Sequence, residues 1–225
     1  VQLALCVLLM LPATTALAEF SGRFSLGTAE VFRGIKQTRD GPAVDGLAQY
    51  DFDNGLYAAV WAGRIEIPIS DEGSDVEVDY IIGFSRALTS RVSFDSAIIR
   101  YTYPTSNYLR DYDWTEWYTS AHLFEHWSVG VGIGRDWLGA DETTLNAELI
   151  YRYPLPLGLV ADITGGYQDV SSVLGRDYSY YEIGVGRALH AFQFRVAFVG
   201  TSSAAGHIFG EAAATRWLGA LTWAF

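Results

Sequence analysis

The sequence predicts an all-β fold: an up-and-down antiparallel barrel of about twelve strands, its apolar face turned outward. Three observations predict it. Period-2 alternation recurs in segments of about 10 to 13 residues, as strands require and helices do not. The connections between those segments are alternately short and long, as turns at one rim and loops at the other would be. The composition suits twisted walls, with 23 Gly, 14 Tyr, 12 Phe and 7 Trp against 6 Pro.

The chain has 225 residues, half of them hydrophobic and only 18% charged, with 15 Lys+Arg against 26 Asp+Glu. A net charge of -11 argues against nucleic acid, because phosphate binding needs a basic face. The aromatic content argues against disorder. Residues 1–18 carry no charge, hold the apolar run Leu3 to Leu11, and end in Ala16-Leu17-Ala18. They are expected to be a secretory signal peptide cut before Glu19, leaving one domain over 19–225. Cys6 fails as a lipid acceptor, since Leu5 precedes it where a small residue is needed. No stretch after residue 19 offers about 18 uninterrupted apolar residues, so no transmembrane helix is expected.

The expected strands are 20–32, 43–53, 55–67, 75–87, 91–103, 112–123, 126–138, 143–153, 157–168, 177–188, 191–201 and 213–225. Arg33 to Pro42 forms the first long connection, and Asp53-Asn54-Gly55 is a tight hairpin turn of the positive-φ kind. Pro68 to Ser74, Pro104 to Asp111, Asp169 to Arg176 and Ser202 to Ala212 are long. Leu88 to Ser90, Phe124-Glu125, Pro154 to Pro156 and Leu189-His190 are short, and Gly139 to Glu142 is intermediate. A soluble sandwich has no reason to keep this parity.

The lipid-facing set is expected to include Tyr57, Ala59, Trp61 and Ile65, then Val76, Val78, Tyr80, Ile82 and Phe84. Trp127, Val129, Val131, Leu145, Leu149, Ile163, Phe194, Val196, Trp217 and Trp223 continue it. Interfacial girdles would use Tyr57, Trp137, Tyr151, Tyr153, Trp217 and Trp223. The fifth segment is ambiguous, because Phe94 and Ile98 share one parity while Ile99, Tyr101 and Tyr103 share the other. A bulge near Ser96 would reconcile them. The opposite, polar face supplies the expected pore-lining residues: Arg64, Glu77, Asp79, Glu116, His122, Glu148, Arg152, Asp162, Glu182, Arg195 and Arg216. Gly130, Gly132, Gly134, Gly184 and Gly186 on that face make room for neighbouring side chains. The chain stops on alternating Trp223 and Phe225, which resembles the signal read by the outer-membrane barrel assembly machinery.

The runs Val31-Phe32-Arg33-Gly34-Ile35-Lys36-Gln37, Gly41-Pro42-Ala43-Val44 and Asp53-Asn54-Gly55-Leu56-Tyr57-Ala58-Ala59-Val60-Trp61-Ala62-Gly63 resemble the proteobacterial TorF family of porins. Asp45 stands where that family has Gln, and Ala59 where it has Gly. The resemblance covers about 35 residues and implies an outer-membrane channel without naming a solute. Arg33 and Gln37 would sit at the mouth, with Arg33 folding onto an acidic lumen and Gly34 allowing the bend.

Arginines facing carboxylates across a narrow lumen would order water and select solutes by charge, with a mild cation or zwitterion preference. The rival reading is a solid barrel filled by paired charges. Ser120 and His122 share a strand face, but no third catalytic member or oxyanion site accompanies them; two polar lumen residues are expected, not an enzyme. Asp71, Glu72, Asp75, Glu77 and Asp79 read as a solvated acidic loop rather than a cation site, and His207 has no metal-ligand partner. No cofactor is expected. The expected setting is the Gram-negative outer membrane, reached through the periplasm. The expected partners are outer-membrane lipid, lipopolysaccharide, the assembly machinery and small solutes.

Overall fold

The computed structural model describes residues 19–38, 41–66, 75–104 and 112–225. The expected signal segment, Asp71, Glu72 and the Asp75 side chain lie outside the described residues. In chain order the strands are β1 (Glu19–Gly27), the short β2 (Val31–Phe32) and β3 (Ile35–Lys36), β4 (Ala43–Asp51), β5 (Leu56–Ile65), β6 (Asp75–Thr89) and β7 (Val92–Thr102). Next come β8 (Trp114–Leu123), β9 (Trp127–Arg135), β10 (Thr143–Pro154), β11 (Leu159–Asp169), β12 (Tyr178–Leu189), β13 (Phe192–Thr201) and β14 (Arg216–Ala224). Helices α1 (Ser171–Leu174) and α2 (Ser203–Phe209) lie in two of the longer connections.

β1 and β4 to β14 form one closed antiparallel barrel of twelve strands, while β2 and β3 pair only with each other. Closure satisfies every edge, the condition for a sheet that sits in lipid. At the seam β14 pairs β1 from Arg23↔Ala224 to Gly27↔Ala220. Gly22 and Phe225 extend the ladder by exchanging both backbone hydrogen bonds, at 2.9 and 3.0 Å. The Phe225 ring covers Gly22, and a Cβ there would stand 2.7 Å from it.

The outer surface is apolar. Val76, Tyr80, Ile82, Trp127, Val129, Val131, Leu145, Leu149, Ile163, Phe194, Val196, Trp217 and Trp223 are all exposed, as their parity predicts. Near the short-turn rim Phe20, Tyr50, Trp127, Tyr153 and Phe225 form an aromatic belt, and Tyr167, Tyr181 and Trp217 stand near the other rim.

Three expectations are corrected. On β5 the faces are reversed: Tyr57, Ala59, Trp61 and Ile65 point inward and are buried, while Leu56 and Val60 face out. That strand is apolar on both parities, so alternation carried no contrast. Its aromatics fit inside because Gly63 and Gly83 leave the floor that Trp61 and Tyr57 cover. Trp137, expected in a girdle, is buried as well. β7 alternates regularly, with Ile99, Tyr101 and Tyr103 inward and Ile98 outward. No bulge occurs at Ser96; the register shift of the β6–β7 pair lies between Ala87 and Thr89, beside the turn.

The first strand also stops earlier than its pattern suggests, at Gly27. Thr28 ends the wall by donating its amide to Gly219 O at 2.9 Å and accepting the Gly219 amide at 3.1 Å. The chain then turns into the barrel as the β2–β3 hairpin.

Candidate functional site

The hairpin is tight because its two central residues, Arg33 and Gly34, both take positive φ, 49° and 82°. That is the backbone of a two-residue turn whose twist matches its strands. Glycine adopts it freely, whereas an arginine there carries strain. Val31, Arg33 and Ile35 are buried, so the hairpin tip lies inside the barrel near the long-loop rim.

Arg33 spans to two walls. Its Nη2 donates to Glu116 Oε1 at 2.6 Å and its Nη1 to Gln168 Oε1 at 3.1 Å. Tyr101 Oη donates to the other Glu116 oxygen at 3.0 Å. The guanidinium also lies 4.6 Å from the centroid of Phe32, which meets Tyr101 and Trp114 edge-on. Tyr101 and Trp114 are themselves stacked with centroids 4.0 Å apart. Strong charge pairing holds Arg33 protonated and pushes its pKa up, although burial alone would lower it.

Glycines provide the room. A Cβ on Gly132 would collide with Glu116 Oε1 and stand 3.2 Å from Arg33 Nη2. Gly130 and Gly134 likewise lie under Tyr118 and Trp114, so the β9 glycine stripe is roofed by β8 side chains. Below the hairpin, Glu148 accepts from Tyr118 at 2.5 Å and from Tyr180 at 2.9 Å, and Asn146 donates to Tyr180 at 3.0 Å. Arg195 bridges Asp162 at 2.5 Å and Glu182, over the space left by Gly184.

The expected pore-lining residues are therefore largely inward, in two groups. Glu77, Asp79, Glu116 and Glu182 are buried. His122, Glu148, Arg152, Asp162, Arg195 and Arg216 are partly exposed on the inner face. Arg64 differs: it has outward parity between buried Gly63 and Ile65 and reaches Glu66 at 3.0 Å at the rim. Gln37 lies on the hairpin's return, where its carbonyl accepts the Glu66 amide at 2.5 Å. Ser120 does not meet His122; its hydroxyl is buried without a partner, and His122 Nδ1 bonds Ser128 at 2.7 Å instead. Among the described residues no group of three His, Cys, Asp or Glu could hold a metal ion.

Several lumen residues escaped the sequence reading. Asp45, noted only as a departure from a motif, accepts from Trp61 Nε1 at 3.0 Å and from Arg23 at 3.1 Å. Gln168, Tyr118 and Tyr180 share strand parity with Thr164, Glu116 and Glu182, and that parity was the signal available for them.

The inner walls are unequal. Inward residues of β7, β8 and β9 are almost all buried. Along β13, β14, β1 and β4, by contrast, Gln193, Arg195, Ala220, Thr222, Arg23 and Gln49 keep accessible surface on the inner face. Among the described strands, inward Asp45, Asp51, Glu77, Asp79, Asp95, Glu116, Glu148, Asp162 and Glu182 outnumber inward Arg23, Arg152, Arg195 and Arg216.

A closed twelve-strand barrel with an apolar exterior and a charged interior has the fold of the outer-membrane porins. The structure of the KdgM porin matches with a TM-score of 0.57 at 11% identity, covering 91% of this chain and 99% of that one. The KdgM porin in complex with disordered oligogalacturonate matches at 0.55 and 10% identity, covering 92% and 98%. A structure from work on the in-meso crystallization of membrane proteins matches at 0.54 and 9% identity, covering 91% and 83%. No curated protein matches the sequence. The chain belongs to the Gcw_chp family, described as a bacterial protein of unknown function, whose profile matches residues 13–225.

Proposed function

We propose that the protein is an outer-membrane channel for passive diffusion of small polar or charged solutes, without covalent chemistry. The observation that carries this reading is the accessible surface kept by inward side chains along β13, β14, β1 and β4, among them Gln193, Arg195, Thr222, Arg23 and Gln49. Solutes would pass off-axis, down this seam side, while the Arg33 hairpin narrows the rest. The excess of inward carboxylates favours cations over anions. The motif around Phe32-Arg33-Gly34 supports a resemblance to the TorF porins. The apolar belt supports an outer-membrane setting, and lipid and lipopolysaccharide outside the barrel and export through the periplasm belong to the same proposal. Trp223 and Phe225 would present the assembly signal, and the seam bonds of Phe225 suit that role.

A second reading, a closed barrel with a structural or adhesive role, draws on the buried Arg33–Glu116 pair and its aromatic bed. Conductance in planar bilayers separates the two, since a closed barrel carries no unitary current.

A further inference from the structure

We infer that the loop-side mouth holds a binding pocket for a small zwitterion, a solute with one carboxylate and one ammonium group and about the size of a dipeptide. The inference rests on the channel reading and names the solute class of its mouth.

A cavity of about 540 Å³ lies between the hairpin's return strand, the end of β5 and the connection from α2 to β14. That volume falls in the range of small-molecule sites. Lys36 and Arg216 line it with positive charge, Glu66 and Glu211 with negative charge, and Phe209 and Ala214 with apolar surface. Both signs of charge line the pocket, with Glu66 also paired to Arg64 at its rim. A singly charged ion gains little from such a lining, whereas a dipolar solute meets both signs at once.

Arg216 gives the pocket its polarity. Its Nη2 donates to the Glu211 carbonyl at 2.5 Å, which fixes the guanidinium, while its Nη1 is buried with no hydrogen-bond partner. A buried donor left unmade costs free energy, and a carboxylate is the acceptor that suits it best. The Glu211 residue is exposed at the same rim and sits where an ammonium group can approach. It sits in a short helical turn over Gly210–Ala213, outside the wall strands and beside Arg216, which holds its carbonyl.

The test is calorimetric titration of alanyl-alanine into the refolded barrel in detergent, with single-channel recording run on the same preparation. The N-acetylated and C-amidated dipeptides are titrated in parallel. The inference expects binding of the free dipeptide that weakens at least about tenfold when either terminus is capped, the loss of one charge-assisted bond. Arg216→Gln is expected to weaken the free dipeptide similarly while leaving the N-acetylated one no tighter. Glu211→Gln, on a residue outside the wall, is expected to act on the ammonium side. Unitary current with no dipeptide binding overturns the pocket and leaves the channel standing. Binding without current supports the pocket and removes the channel. Equal binding of free and capped dipeptides overturns the zwitterion class.

Discussion

Arg33 Nη2 donates to Glu116 Oε1 at 2.6 Å, joining the tip of the inward hairpin to the barrel wall across 83 residues of sequence. Both side chains are almost wholly buried, at 6% and 1% exposure. Burial of two charges is costly, so the pair contributes chiefly by leaving neither alone. It holds the hairpin against β8 and β11, and so sets how far the hairpin fills the lumen.

Arg33→Ala leaves the Glu116 carboxylate buried beside Tyr101 with its cation gone. Breaking such a pair costs about 3–5 kcal/mol, read as a lower urea midpoint by tryptophan fluorescence. The released hairpin is expected to raise unitary conductance. Unchanged stability together with unchanged conductance would show that the pair is not holding the loop.

Gly132→Val tests the same contact from the wall. The new side chain meets Glu116 Oε1 and Arg33 Nη2. Overpacking there is expected to cost about 1–3 kcal/mol and to raise conductance as Arg33→Ala does. Gly165→Ala is the control, because a Cβ there meets nothing within 4 Å. Equal effects of the two substitutions would contradict the roofed-glycine account.

The Glu30 carboxyl, on the segment between β1 and the hairpin, titrates in the working range. Burial is the main cause and pushes it up to about 7. A raised carboxyl favours the folded state while protonated. Its contribution is fully present below the ordinary value of 4.5 and is lost as pH rises through about 7. Ionisation also adds negative charge to the lumen. Cation over anion permeability, from reversal potentials in a salt gradient, is therefore expected to rise between pH 6 and 8, both limits roughly one unit from that value. Glu30→Gln is expected to flatten the rise; a wild-type ratio independent of pH would refute the assignment.

Phe225→Ala removes the ring that covers Gly22 while keeping the backbone exchange. Loss of a packed aromatic at the closing seam costs about 3–5 kcal/mol at most, less here because the ring faces lipid. Folded yield in vesicles, read by the gel shift between unheated and heated samples, is expected to fall. A yield equal to wild type would leave the terminal aromatic without a role at closure.

Wall and turns were legible because two independent patterns agreed on them. The alternation Val76 to Phe84 on β6 and the Asn54-Gly55 turn both survive in the structure, the latter with Gly55 at φ 89°. β5 was not legible, since Leu56, Ala58 and Val60 are as apolar as Tyr57, Ala59 and Trp61. Its orientation is set by glycines on the same and the next strand, a tertiary fact. The Arg33 turn toward the acids was readable from charge and Gly34. Its partners Glu116 and Gln168 were not, because their meeting depends on how a closed barrel brings β8 and β11 around one loop. Arg64 misled as the rest of β5 did: with Trp61 and Ile65 turned inward its own parity points outward, and it reaches Glu66 at the rim.

The central claim is that folded protein conducts. Residues 19–225, refolded and verified by gel shift, are recorded in planar bilayers under a salt gradient. The account predicts discrete unitary steps with a reversal potential on the cation side, and larger steps for Arg33→Ala. Folded barrel that inserts yet gives no current above baseline, in wild type and variant alike, would contradict it.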